Sequence, residues 1–201
     1  MADKQEVRIA HAQEVRVNNS EEDNEMIISG YALKFNTMSQ DLGGFRETIS
    51  KRALDNADMS SVQALINHDP NKILSRTENE SLKLTVDDTG LRFKAKLPNT
   101  TYAKDLYENI RVGNIGQCSF GFTVDDNGDS FKYDREEGLY TRTINEFKKI
   151  FDVTVTSQPA YLDTNVAPAL RSIEHIEKEE QRTKELELLQ LEMDMLKLKN
   201  K

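Results

Sequence analysis

The sequence predicts a mainly β protein with helices, of the α+β class: a closed antiparallel β-barrel of about seven strands ringed by short helices, plus a C-terminal amphipathic helix. Three observations carry this. Short runs rich in β-branched and aromatic residues recur through the middle of the chain, bounded by Gly, Asn, Asp or Pro. Two period-two alternations follow each other, Leu82, Leu84, Val86 and then Leu91, Phe93, Ala95, Leu97, which is how a hairpin with one face on a core reads. The stretch from Glu174 to Lys201 lacks Gly and Pro and is rich in charge, as a long surface helix is.

The length of 201 residues suits one domain with appendages. With 37% apolar and 31% charged residues, and no apolar run near ~20 residues, a soluble protein without a membrane span is expected. The net charge of −8 repels a phosphate backbone, so protein or peptide partners are expected rather than nucleic acid. One cysteine and three histidines give neither a disulfide framework nor a zinc cluster, and no cofactor or metal is expected. Met1 to Glu14 is polar and carries no apolar signal core, which points to the cytosol.

In chain order, residues 1–24 read as a polar N-terminal arm, a strand at most, ending in the turn-forming run Asn18 to Asn24. Met26 to Phe35 is the first core strand, with Gly30 marking a bulge or close approach. After the Gly43-Gly44 loop, Ile49, Ala53 and Leu54 stand at helical spacing and predict a short helix over Glu47 to Ala57. Val62 to Ile66 is a strand that runs into the turn Asn67-His68-Asp69-Pro70. The hairpin follows, joined by Asp87 to Gly90. Pro98-Asn99-Thr100 then caps a helix whose Ala103, Leu106, Tyr107 and Ile110 form one stripe, and Gly113 ends it. Gln117 to Phe122 is a buried strand with a hairpin turn after it at Asp125 to Gly128. Leu139 to Phe147 and Ile150 to Thr156 are further strands, closed by Gln158-Pro159. The chain thus divides into the arm, a barrel domain over 25–171, and an interaction helix over 172–201. That helix carries two adjacent seams, Leu186, Leu189, Met193, Leu196 and Leu188, Leu191, Met195, Leu198, a face wide enough to want a partner helix.

The candidate chemistry centres on Ser119. A serine hydroxyl needs a base within hydrogen-bond reach, itself oriented by a third group. His68 is the histidine of the core region, since His11 falls in the arm and His175 at the start of the tail helix. For the third member, Glu146 lies near a strand end, Asp152 is its nearest rival, and Asp69 adjoins His68 too closely to reach the far ring nitrogen. Cys118 competes as nucleophile, but strand alternation sends Cys118 and Ser119 to opposite faces, so only one can meet His68. On the residues alone, a serine hydrolase, a cysteine hydrolase and a non-catalytic β-barrel assembly module acting through its tail all stay open.

Three ordered motifs favour the first. Asn67-His68-Asp69, the helix Tyr102 to Val112 leading through Gly113 into Ser119-Phe120-Gly121-Phe122, and Phe151 to Thr156 with Pro159-Ala160-Tyr161 together resemble the prohead (capsid maturation) serine proteases of tailed bacteriophages, relatives of the herpesvirus assemblins. The resemblance covers roughly Ile27 to Arg171. It implies a seven-stranded barrel, His68 as general base, Ser119 as nucleophile, and Glu146 in the third position to orient His68, where the herpesvirus enzymes place a second histidine. Those enzymes also use an arginine-bearing loop that Thr156-Ser157-Gln158 lacks, so backbone N–H groups are expected at the oxyanion and no residue is assigned to it. The resemblance further implies a serine endopeptidase that cleaves the scaffolding segment of the major capsid protein, and then itself, inside the assembling procapsid in the host cytoplasm. The expected assembly is a homo-oligomer, a dimer or higher, without nucleic acid or membrane, with the tail helix as docking handle and as a segment removed on activation.

Overall fold

The computed structural model describes residues 5–10, 15–18, 25–157 and 166–199. The chain divides into two compact units, Met1–Asn165 and Val166–Lys201.

In the first unit the described strands form three sheets. The five-stranded sheet runs β1 (Glu6–Ala10), β9 (Gln117–Val124), β12 (Phe147–Thr156), β5 (Gln63–Ile66), β6 (Asp69–Arg76) from edge to edge. A four-stranded sheet has the order β2 (Arg16–Asn18), β3 (Ile27–Lys34), β8 (Gly90–Lys96), β7 (Leu82–Val86). A three-stranded sheet has β10 (Asp129–Asp134), β11 (Leu139–Ile144), β4 (Phe45–Ile49). Among these the pairs β11–β4 and β12–β5 are parallel and the others antiparallel. The predicted β7–β8 hairpin forms, with Leu82 opposite Ala95 and Leu84 opposite Phe93.

Among the described residues the fold is mainly β with two helices, but its sheets do not close into the expected barrel. The reason is visible at Asp125–Gly128. The turn forms, with the Gly128 N–H donating to the Asp125 carbonyl at 2.8 Å. It does not make a hairpin, however: β9 pairs with β1 and β12, while β10 leaves to pair with β11 in a separate sheet.

A second correction concerns Glu47 to Ala57, which is not a helix. Phe45–Ile49 is strand β4, followed by turns. Its buried face is Phe45, Glu47, Ile49, a strict alternation. Because the middle member is a carboxylate, the period of two is hidden and the wider spacing of Ile49, Ala53 and Leu54 suggests a helix instead.

The helix after Pro98 does form, as α1 (Thr101–Arg111), with Ala103, Leu106 and Ile110 buried. It stops where Gly113 takes a φ of +82°, and the chain turns directly into β9. One face of β9 supplies core aromatics: the Phe120 and Phe122 rings stack with centroids 5.1 Å apart, and Phe147 meets Phe122 edge-on at 5.0 Å. That packing commits the other face of β9 to the site.

The second unit is α2 (Ala167–Lys199). Leu186, Leu188, Leu189, Leu191, Met193 and Met195 are all exposed on it. Among the described residues no helix is long and apolar enough to cross a membrane.

Candidate active site

The site is assembled from β9, its neighbour β12, and the turn between β5 and β6. On β9, alternation places Cys118, Phe120 and Phe122 in the apolar core and Ser119 on the opposite face. The antiparallel register sets Thr154 of β12 opposite Ser119, and Asp152 opposite Gly121. Side chains directly opposite each other share a face, so Ser119, Asp152 and Thr154 come together. Gly121 is required for this approach: a Cβ there would lie 2.4 Å from Asp152 Oδ2 and 2.5 Å from Gln5 Nε2.

His68 arrives from the side. Ile66 pairs with Asp69, leaving Asn67 and His68 as a two-residue hairpin loop with φ of +50° and +55°. This is the type I′ geometry, usually supplied by Asn-Gly, and a histidine in the left-handed region costs about 1 kcal/mol or more. The Asn67 N–H donates to the Val155 carbonyl at 3.1 Å, so the strained turn is tied down on β12 and the imidazole projects over the β9–β12 pair.

His68 Nε2 lies 2.6 Å from Ser119 Oγ. On the other side of the ring, Nδ1 lies 2.7 Å from Asp152 Oδ1. Thr154 Oγ1 donates to the same Asp152 oxygen at 2.7 Å and stands 3.4 Å from His68 Nδ1. Gln5 Nε2 donates to Asp152 Oδ2 at 3.4 Å. The carboxylate is thereby held by partners on both oxygens, with Oδ1 aimed at the ring. An imidazole carrying its proton on Nδ1 presents a lone pair at Nε2 to the hydroxyl, which is the arrangement a general base needs.

Of the residues singled out from sequence, Ser119 and His68 are brought together. Glu146 is not: it precedes β12, and its Oε1 accepts a hydrogen bond from Asn56 Nδ2 at 2.8 Å. Six residues of extended chain, about 20 Å, separate it from Asp152, so it cannot occupy the place opposite Gly121. The acid on His68 Nδ1 is its rival, Asp152. Cys118 is fully buried in the core, and Asp69 is turned toward Asn71, whose N–H donates to its Oδ1 at 2.9 Å. His175 lies on α2. His11, Gln158 and Pro159-Ala160-Tyr161 lie outside the described residues.

Sequence reasoning allows a strand in the N-terminal arm but does not bring it to the site. β1 pairs antiparallel with β9 from Glu6 opposite Phe122 to Ala10 opposite Cys118, and Ser119 Oγ donates to the Arg8 carbonyl at 2.8 Å. The Arg8 guanidinium bonds Glu47 at 2.9 Å and Glu6 at 2.6 Å. Arg142 of β11 reaches Glu6 and Glu47 at 2.8 Å and Asp129 at 2.7 Å. Burial alone would lower the Arg142 pKa, but its hydrogen bond to Glu6 and the charges of Glu47, Glu6 and Asp129 outweigh burial and raise it. The signal for β1 was the alternation Glu6, Val7, Arg8, Ile9, which has strand period but charged inward members.

No match is found among curated proteins. Among solved structures the chain is similar to the bacteriophage T4 capsid assembly protease, gp21, at 14% identity and a TM-score of 0.44, covering 76% of this chain and 98% of that one. Residues 13–179 match the sequence model of the caudovirus prohead serine proteases, a span that takes in the β5–β6 turn, β9 and β12. The chain therefore belongs to the caudovirus prohead serine protease family.

Proposed function

We propose that this phage prohead protease is a Ser-His-Asp endopeptidase with Ser119 as nucleophile, His68 as general base and Asp152 as the group that orients His68. The observation that carries the reading is the continuous chain from Ser119 Oγ to His68 Nε2 at 2.6 Å and from His68 Nδ1 to Asp152 Oδ1 at 2.7 Å, in a member of a serine peptidase family. Ser119 Oγ attacks the peptide carbonyl carbon as its proton passes to His68 Nε2. The tetrahedral intermediate collapses, the C–N bond breaks, and His68 gives that proton to the leaving amine. Water, deprotonated by the same nitrogen, then hydrolyses the acyl-serine. Asp152 holds the imidazole in the Nδ1–H form and stabilises its positive charge when Nε2 is also protonated.

Its work lies with capsid proteins in the procapsid. The finer assignment is cleavage of the capsid protein's scaffolding segment and of the protease itself. The apolar face of α2, exposed from Leu186 to Met195, suits docking on a helix of that segment. The test is co-expression with the capsid partner, following capsid-protein cleavage by gel. Wild type and Cys118→Ala are expected to cleave, and Ser119→Ala and His68→Ala to leave the protein intact. Cleavage surviving in Ser119→Ala overturns the assignment, and loss in Cys118→Ala with Ser119→Ala active would favour a thiol.

A further inference from the structure

We infer that the edge of β9 is the groove that receives an extended substrate peptide, and that β1 occupies it in cis as a self-inhibiting pseudosubstrate. This rests on the reading of Ser119 as nucleophile. Among the described residues β1 is the terminal strand of its sheet and pairs with β9 alone, directly over the candidate nucleophile, with Ile9 opposite Ser119. Proteins commonly recognise an extended peptide by adding it to a free sheet edge. Here the edge beside Ser119 is already filled, and Ser119 is 0% exposed, so no external carbonyl reaches it in this state.

The contact at the hydroxyl has the same sense. A backbone carbonyl, that of Arg8, sits 2.8 Å from Ser119 Oγ, where a scissile carbonyl would arrive. It is the oxygen of that carbonyl that faces the hydroxyl, as acceptor. A serine has one proton to donate, and His68 Nε2 at 2.6 Å and the Arg8 oxygen compete for it. A hydroxyl donating to Arg8 is not donating to its base, so the geometry that fills the groove also disarms the nucleophile.

Side-chain chemistry says what kind of peptide fits. Glu6 and Arg8 of β1 complete a buried charge cluster with Arg142, Glu47 and Asp129. Without β1, one guanidinium and two carboxylates remain, and the Glu47 and Arg142 groups that β1 satisfied lose those partners. A buried charge stripped of its partner is strongly unfavourable, so a replacing strand must return the same pattern. The groove therefore selects an extended peptide bearing an acidic residue two positions before a basic one, with its carbonyl at the Arg8 position delivered to Ser119.

The experiment uses the full chain with Ala10→Cys. Residue 10 stands opposite Cys118, and Cα atoms across an antiparallel pair lie about 4.5–5.5 Å apart, within the span of a disulfide. Oxidation is expected to lock β1 onto β9, and a fluorophosphonate probe reports access to Ser119 by forming an Oγ–P bond as fluoride leaves. Labelling should be at least about tenfold slower in the oxidised than in the reduced protein and recover with dithiothreitol, and Glu6→Ala/Arg8→Ala should label at least about tenfold faster than wild type. In a parallel arm that needs no nucleophile, Ser119→Ala/Ala10→Cys is mixed with a fluorescent peptide of residues 3–13. The reduced form should bind it and the oxidised form should not, and a peptide with its Glu and Arg exchanged should bind neither. Lock-sensitive peptide binding without labelling in any form would retain the groove and overturn Ser119 as nucleophile. Failure of the disulfide to form, equal labelling of both forms, or peptide binding that is absent or indifferent to the lock overturns the inference.

Discussion

At the scale of single residues, the sharpest question is which acid serves His68. Asp152 Oδ1 lies 2.7 Å from His68 Nδ1, whereas Glu146 is engaged by Asn56. Amidation of the orienting acid leaves the shape intact but holds the wrong imidazole tautomer, which in the serine protease triad costs about ten-thousandfold in kcat. Asp152→Asn is therefore expected to lose activity on that scale while Glu146→Gln stays within about twofold of wild type, measured by steady-state cleavage or probe labelling. The reverse ranking would return the role to Glu146. His68 and Ser119 were legible because one histidine falls in the core region and the motifs around both are ordered. The choice between the two acids was not, because it depends on lateral register. β12 changes register against β9 between Phe147 and Lys149 and again between Ile150 and Asp152. Such bulges reset which residue stands opposite Gly121 and leave no mark in the spacing. Thr154 and Gln5 escaped for the same reason, since their roles exist only through that register.

At the scale of elements, β1, β4 and β11 are joined through charge rather than apolar contact. The side chains of Glu6, Arg8, Glu47 and Arg142 are each no more than 5% exposed, and they link the five-stranded sheet to the three-stranded one. Sequence patterning treats Glu and Arg as outward markers, so residues 1–24 read as a polar arm with a strand at most, and β4 as part of a helix. The unforeseen burial of β1 and the misread helix have one cause, a buried charged stripe where the pattern expects apolar residues. The elements whose buried faces are apolar, β7, β8, β9 and α1, were all visible. A buried pair broken on one side typically costs about 3–5 kcal/mol, and the raised Arg142 pKa means deprotonation gives no relief to the group at any working pH. Arg142→Met removes the cation from three carboxylates and should lower unfolding free energy by about 3 kcal/mol in urea titration. Arg52→Met, which breaks an exposed pair with Asp55, should leave the midpoint almost unchanged. Similar midpoints for both variants would show that the cluster contributes specificity of pairing without net stability.

At the scale of the whole molecule, the family match ends at residue 179, and the exposed large apolar residues of α2 begin at Leu186. The proposed catalytic and docking roles therefore fall on separate stretches of the chain. In α2 the early residues Ala169 and Ile173 are buried, so a cut at 172 would remove a packed residue and confuse folding with recruitment. Deleting residues 181–201 avoids this, because it keeps both buried positions and the whole matched region while removing Leu186, Leu188, Leu189, Leu191, Met193 and Met195. A face that is more than half exposed along its length contributes little burial to the monomer, so the truncated protein should keep its Tm and its fluorophosphonate labelling rate. A face that wants a partner helix loses everything on deletion, so incorporation into proheads, measured by immunoblot of purified particles, should fall at least about tenfold. Equal incorporation of full-length and truncated protease would overturn the docking role. A lowered Tm with normal incorporation would place the helix among the elements that stabilise the fold.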